Sequence, residues 1–226
     1  MNKNVKLNFF SDKQRDSELL KSIYLDKKNL ADTIWPEIEK NYGEINDKNI
    51  DLYVSKLYQS YGHFIEKTSK LYQNSWDEIN DKFFELINKK TKLSSHFPVY
   101  DCHVTAFFHG LASWGNNVVV RGWRENPFTM RKITAHEILI AYLWNHLRDI
   151  FLNDTEHKLW EISELIAWVM LSYDEDFIKF WPWFIDRGGL QNYPKLATHI
   201  YETKEVYFST KDFKDFLLRV KGIIEQ

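Results

Sequence analysis

The feature that most constrains the fold is an uninterrupted apolar run, Ile138–Trp144, inside a longer segment with helical spacing. A helix that is apolar on every side has to be covered on every side. We therefore predict a central helix from about residue 128 to 151, with other elements packed around it. Asn126 and Pro127 precede this helix, and an Asn cap followed by Pro in the first turn is typical of a helix start.

Composition limits the class of protein. The chain has 226 residues, a formal net charge of −2 and one cysteine, Cys102, which we expect to be buried. This length suits one domain, and a lone cysteine excludes both an internal disulfide and a zinc site made of several cysteines. The near-neutral charge argues against a nucleic-acid partner. The apolar run is far shorter than the roughly 20 residues of a membrane span, and the start of the chain lacks a signal-peptide core, so we expect a cytoplasmic protein.

Apolar residues recur at helical spacing through the first part of the chain, and they predict an N-terminal helical region over residues 1–95. Lys and Glu fill the opposite faces, as expected for a solvated bundle surface. The predicted helices cover Ser17 to Leu25, Leu30 to Ile38, a third segment capped by Asn46 or Asp47 with an apolar stripe from Ile50 to Leu71, and a fourth segment capped by Ser75.

The pattern changes near residue 97. Val99 to Phe108 and Val118 to Val120 are rich in β-branched and aromatic residues, and a Gly-containing connection, His109 to Asn117, joins them. We predict a predominantly helical α+β fold, in which the N-terminal helices precede a small antiparallel β-sheet, a central helix and further helices. The second region, 96–226, is expected to form one compact unit with the first.

A His-Glu pair lies inside the predicted central helix, at His136 and Glu137. A buried carboxylate is costly unless it has a partner, so Glu137 needs one. A metal ion, a histidinium or a structural hydrogen bond would each supply that partner.

Around this pair the chain resembles the zincin metallopeptidases, especially the gluzincin branch, over about residues 97–172. That family carries the motif HExxH on a central helix behind a small sheet; both histidines bind zinc, and the glutamate between them is the general base. The resemblance implies zinc as cofactor, His136 as a ligand and Glu137 as the base. It also implies a third ligand on the following helix, either Glu164, which begins a similar Glu-x-x-Ala segment, or Glu161.

The second histidine of the motif is missing, because residue 140 is Ile. His146 occupies the place of the third histidine in the metzincin pattern, but Leu143 replaces the glycine at which that chain turns. In a continuous helix His146 points about 80° away from His136. His103 or His109, on the preceding strand, is another candidate to approach His136.

Three functions are compatible with these residues. The first is a metal-dependent hydrolase, most simply a peptidase, with a non-standard ligand set. The second is a zincin-like protein with a degenerate site, which binds a peptide or protein partner through a groove, and the third is an unrelated helical protein. The groove would be formed by Trp160, Trp168, Trp181 and Trp183; a separate cluster of Arg121, Arg124 and Arg131 with Trp114 and Trp123 is a candidate site for an anionic or planar ligand.

Overall fold

Helices dominate the described part of the chain and surround one four-stranded sheet. The computed structural model describes residues 5–25, 39–40, 43–46, 48–107, 110–112, 116–183, 190 and 193–225. The described elements are β1 (Lys6–Phe10), α1 (Lys13–Leu25), α2 (Ile50–Asp77), α3 (Asn80–Thr91), β2 (Val99–Thr105), β3 (Gly110–Ala112), β4 (Val118–Gly122), α4 (Thr129–Ile150), α5 (Glu156–Tyr173), α6 (Glu175–Ile178), α7 (Pro194–Ala197), α8 (Ile200–Ser209) and α9 (Phe213–Ile224).

The sheet has the strand order β1-β2-β4-β3. β2 is parallel to both β1 and β4, and only the short edge strand β3 is antiparallel to β4. The prediction of an antiparallel sheet was therefore wrong. That prediction connected β2 directly to β4. In the structure the chain reverses its direction once to form β3 and again to form β4, so β4 runs in the direction of β2 and lies between β2 and β3.

β1 is a second difference from the prediction, which placed only helices in the first 95 residues. Leu7 and Phe9 point into the core while Lys6 and Asn8 are exposed, as in a half-buried strand. β1 pairs along its whole length with β2, from Lys6 opposite Val99 to Phe10 opposite His103. The N-terminal strand thus crosses the predicted boundary at residue 95, and one apolar cluster contains side chains from both regions.

α4 is the buried central helix that the apolar run predicts. All residues from Ile138 to Trp144 are buried, and α4 packs on α5, β3 and β4. Thr155 caps α5, its hydroxyl oxygen accepting a hydrogen bond from the backbone N–H of Lys158. His136 and Glu137 lie on α4, and Glu161 and Glu164 lie on α5, so the packing of these two helices positions the candidate site residues.

The N-terminal helices differ in detail from their prediction. Ser75 lies inside α2 rather than capping α3, and its hydroxyl donates to the carbonyl of Pro127. The apolar stripe of α2 is only partly buried, because Tyr61, Phe64 and Leu71 are exposed. Within the described ranges no helix is both long and apolar enough to cross a bilayer. The predicted helix 30–38, His109 and Trp114 lie outside the described residues.

Candidate functional site

The packing of α4 on α5 brings His136 and Glu164 together. Nε2 of His136 lies 3.0 Å from Oε1 of Glu164, although 28 residues separate them in sequence. Both side chains are largely buried, with 14% and 9% of their surfaces exposed. Of the residues implied by the resemblance, the first histidine and the downstream glutamate are thus in direct contact.

The electrostatics of this contact favour a charged histidine. Burial lowers the pKa of His136. The charge and the hydrogen bond of the Glu164 carboxylate raise it, as does the charge of Glu137, and together they outweigh burial, so that the pKa lies above the ordinary value. When Nε2 of His136 carries a proton, that proton lies between the ring and the carboxylate, and the two side chains then form a buried ion pair.

Glu137 lies next to this pair and is half-buried. Burial raises the pKa of its carboxyl group above the ordinary value, while the positive charges of His136 and Arg121 oppose that rise. A carboxyl group whose pKa is raised toward neutrality, and which is still partly accessible, has the properties of a general acid or base.

Tyr193 is a site residue that the sequence analysis missed. Burial raises the pKa of its phenol, and the charges of Glu164 and Glu137 add to that rise, so the phenol lies within electrostatic range of both carboxylates. Its ring contacts that of Trp160 edge to face, with 4.9 Å between the centroids. No sequence motif includes Tyr193, because it lies 29 residues after Glu164 and only the tertiary fold brings it near the site.

Aromatic side chains border the site. Trp168 contacts the ring of His136 with 6.3 Å between centroids, and the Lys132 ammonium lies 4.8 Å from the centre of the Trp168 ring. Trp160 is half-buried beside Tyr193. The predicted groove of four tryptophans needs a correction, because Trp181 is only 1% exposed and belongs to the core, where its indole N–H donates to Leu171. Trp183 is exposed and contacts Phe128.

The other candidate ligands lie elsewhere. Glu161 pairs with His157 at 3.6 Å, and Nε2 of His146 hydrogen-bonds with the carbonyl oxygen of Ser94 at 2.9 Å. Nε2 of His103 lies 3.3 Å from Oδ1 of Asp16, a buried residue of α1. The continuous helix α4 keeps His146 on a different face from His136, as the geometry of about 100° per residue requires.

The arginine cluster does not form a free anion site. Arg121 and Arg131 are buried, and they pair with Glu125 and Glu78 respectively. Arg124 is the exposed member, and its guanidinium lies 5.0 Å from the centre of the Trp123 ring. Because two of the three positive charges are already neutralised, the prediction of an anionic ligand at this cluster loses its main support.

The described donor atoms do not fit a catalytic zinc ion. Such sites use three protein ligands and one open position. His136 and Glu164 supply two donors, and the described residues contain no group of three or more His, Cys, Asp or Glu side chains arranged for a metal. Ile140, at the place of the missing histidine, is 2% exposed and part of the core.

Comparison of the chain with protein-family models, with curated proteins and with solved structures gives no significant match.

Proposed function

We propose that this chain is a zincin-like protein, related to the metallopeptidases, whose active site is degenerate, and that it binds a peptide or protein partner instead of hydrolysing it. The observation that carries the proposal is the direct contact between His136 and Glu164. The resemblance implies His136 as a zinc ligand and Glu164 as one of two candidate glutamate ligands, and here the two side chains contact each other.

The charge state of His136 supports this interpretation. A histidine binds a metal through a neutral ring nitrogen, so a metal has to displace any proton held there. Glu164 raises the pKa of His136 and thereby stabilises that proton. With Ile in place of the second histidine, the ion would lose a ligand and would also have to compete with the ion pair.

The surroundings of the ion pair support a binding role. Trp160, Trp168 and Tyr193 are all partly accessible; Trp168 contacts the ring of His136, and Trp160 contacts that of Tyr193. Aromatic side chains give large contact areas and accept hydrogen bonds or cations from a bound chain. Such a surface suits a peptide segment with apolar and basic side chains, which would face the aromatic rings and the carboxylates of Glu137 and Glu164.

A metal-dependent hydrolase is the second candidate, and Glu137 favours it. Its carboxyl group is half-buried next to His136 and has a raised pKa, which are the properties of a general base. On this alternative Glu137 would take a proton from a water molecule.

Zinc analysis of the purified, untagged chain tests the proposal. After incubation with zinc and gel filtration, we expect less than one zinc ion per chain at the His136 site, with the same content in His136→Ala as in the wild type. Stoichiometric zinc that disappears in His136→Ala would contradict the proposal and support the hydrolase. Cleavage of casein that is lost in Glu137→Gln would do the same.

A further inference from the structure

We propose that His96 and His146 form a second, separate site, which binds a divalent transition-metal ion through two imidazoles. His146 lies ten residues after His136 on α4, about 15 Å along the helix axis. The site is therefore distinct from the His136–Glu164 pair, and it does not depend on the function proposed above.

The two rings are already in contact. Their centroids lie 4.2 Å apart, with an angle of 58° between the ring planes. His96 belongs to the segment between α3 and β2, whereas His146 belongs to α4, so the fold brings together two residues that are 50 positions apart. Because His96 is exposed, its ring can turn to share an ion with its neighbour.

The tautomer of His146 is fixed by its hydrogen bond. A carbonyl oxygen only accepts, so the contact between Nε2 of His146 and the oxygen of Ser94 places the proton on Nε2. Nδ1 is then left with its lone pair. Histidines that bind metals are commonly oriented in this way, by donating their other N–H to a backbone carbonyl.

The charge state of His146 suits metal binding too. Burial lowers its pKa, and the charge of His96 lowers it further, while the Ser94 carbonyl and the Asp149 carboxylate oppose the change. The net lowering of the pKa favours the neutral ring, which is the form that binds a metal ion. Asp149, one turn further along α4, also gives the site a negative neighbour that attracts cations.

The segment that carries His96 is held in place before any ion binds. The carbonyl oxygen of Leu93 accepts hydrogen bonds from the Tyr142 hydroxyl at 2.6 Å and from the Asn88 amide at 2.9 Å. The Ser95 hydroxyl bonds to the backbone of Phe97 at 2.7 Å. Binding therefore does not have to order a loop, which lowers its entropic cost.

The two imidazole nitrogens select the class of ion. Nitrogen ligands suit Cu²⁺, Ni²⁺ and Zn²⁺, whereas Mg²⁺ and Ca²⁺ prefer oxygen. Among the described side chains no third His, Cys, Asp or Glu completes a metal cluster. Water would therefore fill the remaining positions, and affinity should follow the general order Ni²⁺ < Cu²⁺ > Zn²⁺.

Calorimetric titration of the untagged chain with CuCl₂ at pH 7 tests the site. We expect one equivalent to bind, and the affinity to fall more than about tenfold in His96→Ala and in His146→Ala. His63→Ala, which removes an exposed histidine on α2, serves as the control and should bind copper as the wild type does, while His136→Ala tests whether copper occupies the other site. In the copper complex, electron paramagnetic resonance should show coupling to two imidazole nitrogens.

His96→Ala is the decisive variant, because an exposed side chain can be removed without affecting folding. Copper binding that is unchanged in His96→Ala would overturn the proposal, as would absence of binding by the wild type. Loss of the copper in His136→Ala, with His96→Ala unaffected, would place the ion at the other site and contradict both this inference and the degenerate site proposed above.

Discussion

Ile140 lies one helical turn after His136 on α4, where the resemblance requires the second histidine. Residues four apart on a helix face the same side, so a histidine at this position would project beside His136. Glu164 already contacts His136 from α5. With histidine at position 140 the chain would offer three zinc ligands, whereas with Ile140 only His136 and Glu164 remain, and they contact each other.

Ile140→His should restore zinc binding, because it adds the missing third ligand to His136 and Glu164. We expect calorimetry to show one zinc ion bound more tightly than by the parent chain, with both measured in a His96→Ala background to remove the second site. Ile140→Asn is the matched control, since it introduces a polar side chain at the same position but lacks the imidazole.

Without zinc, both variants should lose about 1–3 kcal/mol of stability, because each places a polar group in the core. If Ile140→His is folded and gains no zinc affinity over Ile140→Asn, His136 and Glu164 do not retain the geometry of metal ligands.

The ion pair at His136 has a definite pH dependence. Because the pKa of His136 is raised in the folded chain, its contribution to stability is fully present below the ordinary histidine pKa of 6.5 and is lost as the pH rises through the folded value. We expect nuclear magnetic resonance to show the His136 ring titrating above 6.5 in the wild type and at a lower pH in Glu164→Gln.

Glu161→Gln is the control for this change, because Glu161 lies on the same helix and pairs with the exposed His157. Urea unfolding at several pH values should show that the alkaline loss of stability disappears in Glu164→Gln and persists in Glu161→Gln. An unchanged titration of His136 in Glu164→Gln would show that the carboxylate does not hold its proton.

At the level of elements, Asp16 on α1 joins three parts of the fold. Its Oδ2 accepts hydrogen bonds from the Tyr58 hydroxyl of α2 at 2.9 Å and from the Ala106 backbone N–H, just after β2, at 3.1 Å. His103 of β2 lies beside its other oxygen. Burial raises the pKa of Asp16 and lowers that of His103, so these contacts have to offset an appreciable desolvation cost.

Asp16→Ala should destabilise the chain by about 3–5 kcal/mol, since it leaves several buried donors without an acceptor. Glu18→Ala, an exposed change on the same helix, should alter stability by less than about 0.5 kcal/mol. Urea denaturation followed by circular dichroism measures both. Equal stability of the two variants would mean that Asp16 does not connect α1, α2 and β2.

The elements also differ in how far the sequence predicts them. The spacing of apolar residues in α4 is a local property, and the predicted ends, about residues 128 and 151, lie within one residue of the observed ones. β1 could not be recognised in this way, because five residues of alternating pattern are too few and its partner β2 lies some 90 residues further on. Strand direction likewise depends on where the intervening β3 pairs.

At the scale of the whole molecule, β1 belongs to the same apolar cluster as α4 and α5. We therefore expect Leu7→Ala to destabilise the whole chain by about 2–5 kcal/mol, because Leu7 is fully buried. Asn8→Ala, at the exposed neighbouring position of β1, should be nearly neutral.

Tryptophan fluorescence, which averages over the nine tryptophans of the chain, and far-ultraviolet circular dichroism should show one coincident unfolding transition, displaced equally by Leu7→Ala. Two separate transitions, with only one displaced, would show that the N-terminal strand and the helices around the candidate site unfold independently.

The sequence by itself determined the main helices and the central position of α4, because helical periodicity is a property of consecutive residues. It also correctly predicted that Cys102 is buried. It identified His136, Glu137 and two alternative glutamates. Only the tertiary structure decided that Glu164, and not Glu161, meets His136, that Tyr193 joins them and that His146 meets His96. The contact of His136 with Glu164 joins residues 28 positions apart, and that of His96 with His146 joins residues 50 positions apart. The packing of whole elements, which no local pattern encodes, brings them together.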